Sequence, residues 1–247
     1  MSGERGRARV EHVEDTNHVH RVINDLVSFV RYRRYEPGER LPSERELTER
    51  FSVGRGVIRE ALALLEATRY IERRRNSRIY LSRESDTVSL ESLVLCEAIG
   101  IPQEQDVLLQ SVEVRRILEV QAVALACARR TDEDLKVLDG VLTRSGQAID
   151  QGQSIATMDY DFHMAIFRST QNAVFVRMVT PFYLMSRGRR EAFFADLRHG
   201  VESHHQHVAL VEAVRARDAP LASHLMDGHI GRVEQHYLNQ QGENGYD

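Results

Sequence analysis

Apolar side chains recur on a helical period along most of this chain. Val19, Val22, Ile23, Leu26, Val27 and Val30 keep the i, i+3, i+4 spacing that places all of them on one helix face. Pro37 and Gly38 end that pattern. In LPSERELTERF, Ser43 and Glu46 have the spacing of a capping box, and Pro42 fixes the entry to the helix. That helix is short: it turns Leu47 and Phe51 inward and ends at Ser52-Val53-Gly54. RGVIREALALLEATRY predicts a third helix, with Val57, Ile58, Ala61, Leu62 and Leu65 buried. Arg55, Gly56 and Arg59 then share its opposite face. YIERRRNSRIYL predicts two short β-strands around an arginine-rich tip, where Asn76 can take the positive φ of a tight hairpin.

Beyond the polar stretch SRESDTV (82–88) there is no strand pattern of useful length. Helices are predicted near 89–99, 106–129, 133–151, 154–170, 172–195, 200–217 and 219–238. They are punctuated by Gly152, Asn172, Gly200 and Asp218-Ala219-Pro220. The fold class is therefore mainly α. An N-terminal winged helix-turn-helix spans 12–83, and 84–105 form a linker and connecting helix. An all-α antiparallel helical bundle spans 106–239.

Charge divides the chain at the same place. Residues 1–83 hold 18 Arg, no Lys and 13 acidic residues, a net +5, so the remainder of this net −4 chain is −9. A basic end on an acidic body predicts an anionic polymer held at that end. The 42% hydrophobic and 28% charged residues are ordinary for a globular protein, and no apolar run reaches the ~20 residues that span a bilayer. The charged N-terminus has no apolar signal-peptide core, and two cysteines make no disulfide framework. A cytoplasmic protein without membrane contact is the expectation.

The start of the third helix would enter a major groove, offering Arg55 and Arg59 to base edges or phosphates. Arg73, Arg74, Arg75 and Arg78 of the wing would follow the backbone or reach a minor groove. PGERLPSERELTERFSVGRGVIREALALLEATRYIE resembles the signature of the GntR family of bacterial transcription regulators. The resemblance implies DNA contacts from Arg45, Arg55, Gly56 and Arg59, and from Arg75 and Asn76 at the wing tip. Gly54 and Gly56 stand where the family commonly carries hydroxyl residues, which removes possible phosphate bonds.

In the body, Asp159 and His163 stand four apart beside the stripe Ile155, Met158, Phe162, Ala165 and Ile166. That spacing puts them at the edge of the core. His207 falls in line with Leu210, Val211 and Val214, and His229 with Ala222, Met226 and Val233. One carboxylate and three imidazoles from three helices suit Zn²⁺, Ni²⁺ or Mn²⁺. An inward histidine is nevertheless more often a hydrogen-bonded core residue than a ligand. His204 shares a face with His207 and His236 continues the line of His229, so pattern leaves the choice open. His199, His205 and His224 fall on polar faces.

DYDFHMAIFRSTQN and HVALVEAVRARDAPLASHLMDGH resemble the ligand-binding FCD domain of the FadR branch of GntR regulators. The resemblance implies Asp159, His163, His207 and His229 as ligands of a divalent transition metal. It implies Arg115, within VEVRRILE, facing a ligand cavity, and Asn172 as a further effector-site residue. It also implies a homodimer on a palindromic double-stranded operator, mostly acting as a repressor, with a small carboxylate effector. A metal sensor without organic effector is the alternative. A metal-dependent hydrolase would need a general base, for which only the nearby Asp161 and Glu202 offer themselves, and it leaves the winged helix unexplained.

Overall fold

The structure, a computed structural model, describes residues 3–74, 78–83, 89–99, 101 and 105–244, and side chains within 18–236 of that set. Two compact units divide after residue 103.

In the first unit, α1 (Gly3–Tyr32), α2 (Glu44–Phe51) and α3 (Arg55–Ala67) precede β1 (Ile71–Arg74) and β2 (Arg78–Leu81). α1 begins well before its predicted stripe, and all six stripe residues are buried. The predicted capping box starts α2: the Glu46 N–H donates to Ser43 Oγ, and the Ser43 N–H donates to Glu46 Oε2 at 2.7 Å. α2 ends on Ser52, in the left-handed conformation at φ 53°. α3 buries Ile58, Ala61, Leu62 and Leu65, as its spacing requires, while Val57, expected with them, is half-buried. β1 and β2 pair antiparallel with Ile71 opposite Leu81 and Arg74 opposite Arg78, while Arg40 bridges to Tyr80 on the other side of β2. Arg75 and Asn76, predicted at the hairpin tip, lie outside the described residues. α4 (Leu90–Ala98) belongs to this unit: Cys96, Ile99 and Ile101 pack into the same core as Leu26 and Leu62.

The second unit contains α5 (Gln105–Arg129), α6 (Asp132–Asp150), α7 (Ala156–Ser169), α8 (Ala173–Met185), α9 (Arg187–Phe193), α10 (Leu197–Arg215) and α11 (Ala219–Asn244). α5 packs along α11, and α7 packs against α5, α6, α8 and α10. Covered on several sides, α7 buries every residue from Phe162 to Phe167. Asp159 and His163 are therefore inside the core, not at its edge as a single stripe suggests.

Two boundaries differ from expectation. The single helix predicted over 172–195 breaks at Ser186, where the Arg190 guanidinium donates to the Tyr183 carbonyl and to Ser186 Oγ. Gly200 does not start a helix. It lies inside α10, which Asp196 caps, and a Cβ there would stand 3.5 Å from Ile155. Glycine lets α10 approach closely at that point.

Candidate metal centre and nucleic-acid interface

α7 contributes Asp159 and His163, one turn apart. α10 contributes His207 and α11 His229, and all four side chains are buried. His207 Nε2 and His163 Nε2 each lie 3.2 Å from His229 Nε2. Asp159 Oδ1 lies 3.6 Å from His207 Nε2 and 3.7 Å from His163 Nε2. At a metal–nitrogen distance of about 2.1 Å, nitrogens 3.2 Å apart subtend roughly 100°, a normal angle between two ligands of one ion.

Hydrogen bonding behind the rings fixes their chemistry. His163 Nδ1–H donates to Glu119 Oε2 at 3.1 Å, and His229 Nδ1–H donates to the amide oxygen of Gln206 at 2.7 Å. The neutral form of each ring then presents only a lone pair at Nε2. Two lone pairs 3.2 Å apart repel unless a positive charge comes between them, either a proton on His163 or a metal ion. Burial lowers the His207 pKa to about 3 and takes His229 well below its ordinary value, so both rings are neutral and competent to ligate. For His163 burial also opposes charge, but the Glu119 carboxylate and Asp159 outweigh it and raise its pKa. Burial would raise the Asp159 pKa, but the hydrogen bond and charge of His163 lower it, which keeps a carboxylate in the cluster. Phe162 stacks on His207 with ring centroids 3.8 Å apart, fixing that ring on its third side. The donor set fits a divalent transition metal.

Glu119 is the functional residue that sequence reasoning missed. Fully buried on α5, it accepts from His163, from Arg115 Nε at 3.2 Å and from the Tyr183 hydroxyl. A carboxylate behind a ligating imidazole sets the tautomer and raises the basicity of the ring. Its only trace in the sequence is its position four residues after Arg115, which reads equally well as a surface ion pair.

A cavity of about 40 Å³ adjoins the cluster, lined by Asp159, His229, Arg115, Arg189 and Arg190 among apolar side chains. Arg115 lines this cavity, and its Nη2 donates to the Tyr183 hydroxyl at 2.9 Å. Asn172 does not reach this cavity. It is exposed, and its Oδ1 accepts from the N–H groups of Val174 and Phe175, capping α8. His204 turns to Ser145, and His236 packs edge-on against Phe193, so neither joins the cluster. His199, expected on a polar face, stacks on Phe193 and donates to its carbonyl. Asp161 and Glu202 are also turned elsewhere, to Arg144 and Arg232.

In the first unit Arg55, Gly56 and Arg59 are exposed on the face of α3 opposite its buried stripe. Glu44 Oε2 accepts from Arg59 Nε at 3.1 Å, and Glu44 Oε1 accepts from Arg73 at 3.2 Å. One carboxylate thus ties α3 to the wing. Arg45 is exposed and pairs with Glu49 one turn along α2, at 3.5 Å. A Cβ added at Gly54 or Gly56 would meet nothing within 4 Å.

A winged helix with a basic exposed face, in one chain with a helical body holding a buried His/Asp cluster, defines a DNA-binding regulator with a second, all-helical domain. Residues 19–81 match the model of bacterial regulatory proteins of the gntR family, and 110–232 match the FCD domain. The Uxu operon regulator of Haemophilus influenzae is 30% identical over 207 residues, covering 81% of this chain and 74% of that protein. The HTH-type transcriptional repressor NanR of Escherichia coli is 29% identical over 220 residues, covering 86% and 81%. A solved structure of Lar, described as controlling expression of the Listeria monocytogenes agr system, shares the fold. Its TM-score is 0.60 at 17% identity, covering 90% of this chain and 96% of that one. The chain belongs to the GntR family of transcription regulators and carries an FCD domain; it is not an enzyme. Among the described residues, no helix is long and apolar enough to cross a membrane.

Proposed function

We propose that this protein is a repressor whose hold on its operator is set by a small carboxylate bound at a metal ion in the helical unit. Asp159, His163, His207 and His229 would hold the ion, supplying three neutral imidazole nitrogens and one carboxylate oxygen. The observation that carries this reading is the pair of facing Nε2 lone pairs beside an arginine-lined cavity. A coordination position left open toward that cavity would accept a carboxylate oxygen, and Arg115 would hold the same group by a charge-assisted bond. Arg55, Gly56 and Arg59, with Arg45 and the wing, would form the DNA contacts.

The protein would act as a homodimer on a palindromic operator. Support comes from Val114 and Ile117 on α5 and Val174 and Met178 on α8, apolar side chains left exposed on two helices that touch. An effector binding one arrangement of the bundle more tightly than another would shift DNA affinity by that difference in affinity.

Elemental analysis of purified protein after incubation with Zn²⁺, Ni²⁺ or Mn²⁺ tests the first step. One ion per chain is expected in wild type and none in His229→Ala. Less than about a tenth of an equivalent in folded wild type returns the four residues to a core hydrogen-bond network. A thermal-shift screen of metal-loaded protein against carboxylic acids then tests the second, and a screen without a hit refutes the organic effector.

A further inference from the structure

The cavity holds more positive charge than one carboxylate can neutralise. Arg190 lies on its wall, half buried, at the start of the polypeptide that follows the α8–α9 break. Its Nε–H donates to the Ala156 carbonyl at 3.1 Å, and Nη1 donates to the Tyr183 carbonyl at 3.2 Å and to Ser186 Oγ at 3.4 Å. All three acceptors are neutral. Among the described residues no carboxylate stands within ion-pair distance of Arg190; its guanidinium lies 5.3 Å from the centroid of the Tyr160 ring, and its hydrogen bonds come from Nε and Nη1, leaving the two Nη2 donors. Arg115, also on the cavity wall, is differently placed: Glu119 balances its charge.

Charge bookkeeping then decides the class of ligand. Asp159 and Glu119 cancel Arg115 and Arg190, so a divalent ion leaves the site with two uncompensated positive charges. A monoanion would leave a charge buried in a low-dielectric site, which is costly, whereas a dianion neutralises it. The remaining walls narrow the class further. Phe182, Met185, Phe193, Phe194, Val112 and Val233 are apolar, and the hydroxyls are those of Ser111 and Ser186. Both hydroxyls already donate to carbonyls, of Val107 and Tyr183. A polyhydroxylated acid would bury hydroxyls without partners there, at a cost for each. The space is also small: about 40 Å³, where a single water needs roughly 10–15 Å³ by the same measure.

Resting on the carboxylate-effector reading above, we infer that the effector is a short-chain dicarboxylate, with one carboxylate at the metal and Arg115 and the second on the free Nη2 donors of Arg190. Charge and the small, largely apolar cavity both select it, and Arg190 is the residue that distinguishes dianion from monoanion.

The test is calorimetric titration of zinc-loaded full-length protein with succinate, with butyrate of the same chain length, and with glucuronate as the polyhydroxylated probe. Succinate should bind at least about tenfold tighter than either, since a charge-assisted pair in a partly buried site contributes on that scale. Arg190→Gln should collapse the succinate-to-butyrate ratio toward one, while Arg190→Lys, which restores the charge, should recover part of it. Zinc content and helicity of both variants establish that the site is still assembled. Equal affinity for succinate and butyrate in wild type, or an unchanged ratio in folded, zinc-loaded Arg190→Gln, overturns the inference and leaves the metal-bound carboxylate standing. Failure of every carboxylate to bind zinc-loaded protein overturns both.

Discussion

Replacing Glu119 by Gln removes one charge and almost no volume from the centre of the helical unit. The wild-type carboxylate meets three donors, Arg115, His163 and the Tyr183 hydroxyl, at full burial. Glutamine has one acceptor oxygen, and its NH₂ group must face at least one of those donors. Arg115, with a side chain only 11% exposed, loses its ion-pair partner. Breaking a buried pair by removing one member costs about 3–5 kcal/mol. Arg115 keeps its bond to Tyr183 and borders the cavity, so the lower end, about 3 kcal/mol, is expected. At roughly 2–4 °C per kcal/mol, the helical unit of metal-free Glu119→Gln should melt about 6–12 °C below wild type. A second loss falls on the metal. Without a charged acceptor at Nδ1, the His163 ring is less basic and less well oriented, and affinity should drop about 10–100-fold. Scanning calorimetry of chelator-treated protein reads the first effect, and competition with a chromophoric zinc chelator reads the second. A folded Glu119→Gln that melts with wild type and holds zinc equally well would show that Glu119 neither anchors Arg115 nor orients His163.

Arg55→Ala or Arg59→Ala should weaken binding to the specific operator by about 1–3 kcal/mol. Arg74→Ala or Arg78→Ala should instead weaken binding to all sequences and flatten its salt dependence; an Arg55→Ala protein that binds its operator like wild type refutes the recognition-helix assignment. Sedimentation should give a dimer, and the selected operator should have two-fold symmetry. A monomer binding one asymmetric site at full affinity would contradict this. Adding zinc at about a hundred times its Kd to stripped protein should stabilise the helical unit by about 2.7 kcal/mol, and an unchanged melting temperature would count against an ion there.

Local signals carried most of the fold. Ser43 and Glu46 announced the start of α2 because a capping box is complete within four residues, and the α3 stripe named its own buried face. Other features depend on partners far away in the chain. Glu119 reads as a surface acid until α7 supplies His163 and α8 supplies Tyr183. The break at Ser186 follows no Gly or Pro. It is held by Arg190, whose bonds run back to Tyr183 and Ala156. Pro181, the residue that would ordinarily end a helix, lies inside α8. Pattern also could not separate His207 from His204, since both lie near one face of α10. Only the positions of Ser145 and His229 send one ring outward and the other into the cluster.

The two open glycines at the head of α3 have an evolutionary consequence. The apolar packing that holds this helix in place lies on its other side, in Ile58, Ala61, Leu62 and Leu65. A side chain arriving at Gly54 or Gly56 by point mutation would collide with nothing. At Gly56, within the helix, it would even improve helix propensity by up to about 1 kcal/mol. Ancestral and descendant sequences can therefore exchange side chains at these two positions without crossing a stability threshold. After a gene duplication, the sister copies could drift toward different operators by single substitutions while their helical domains stay unchanged.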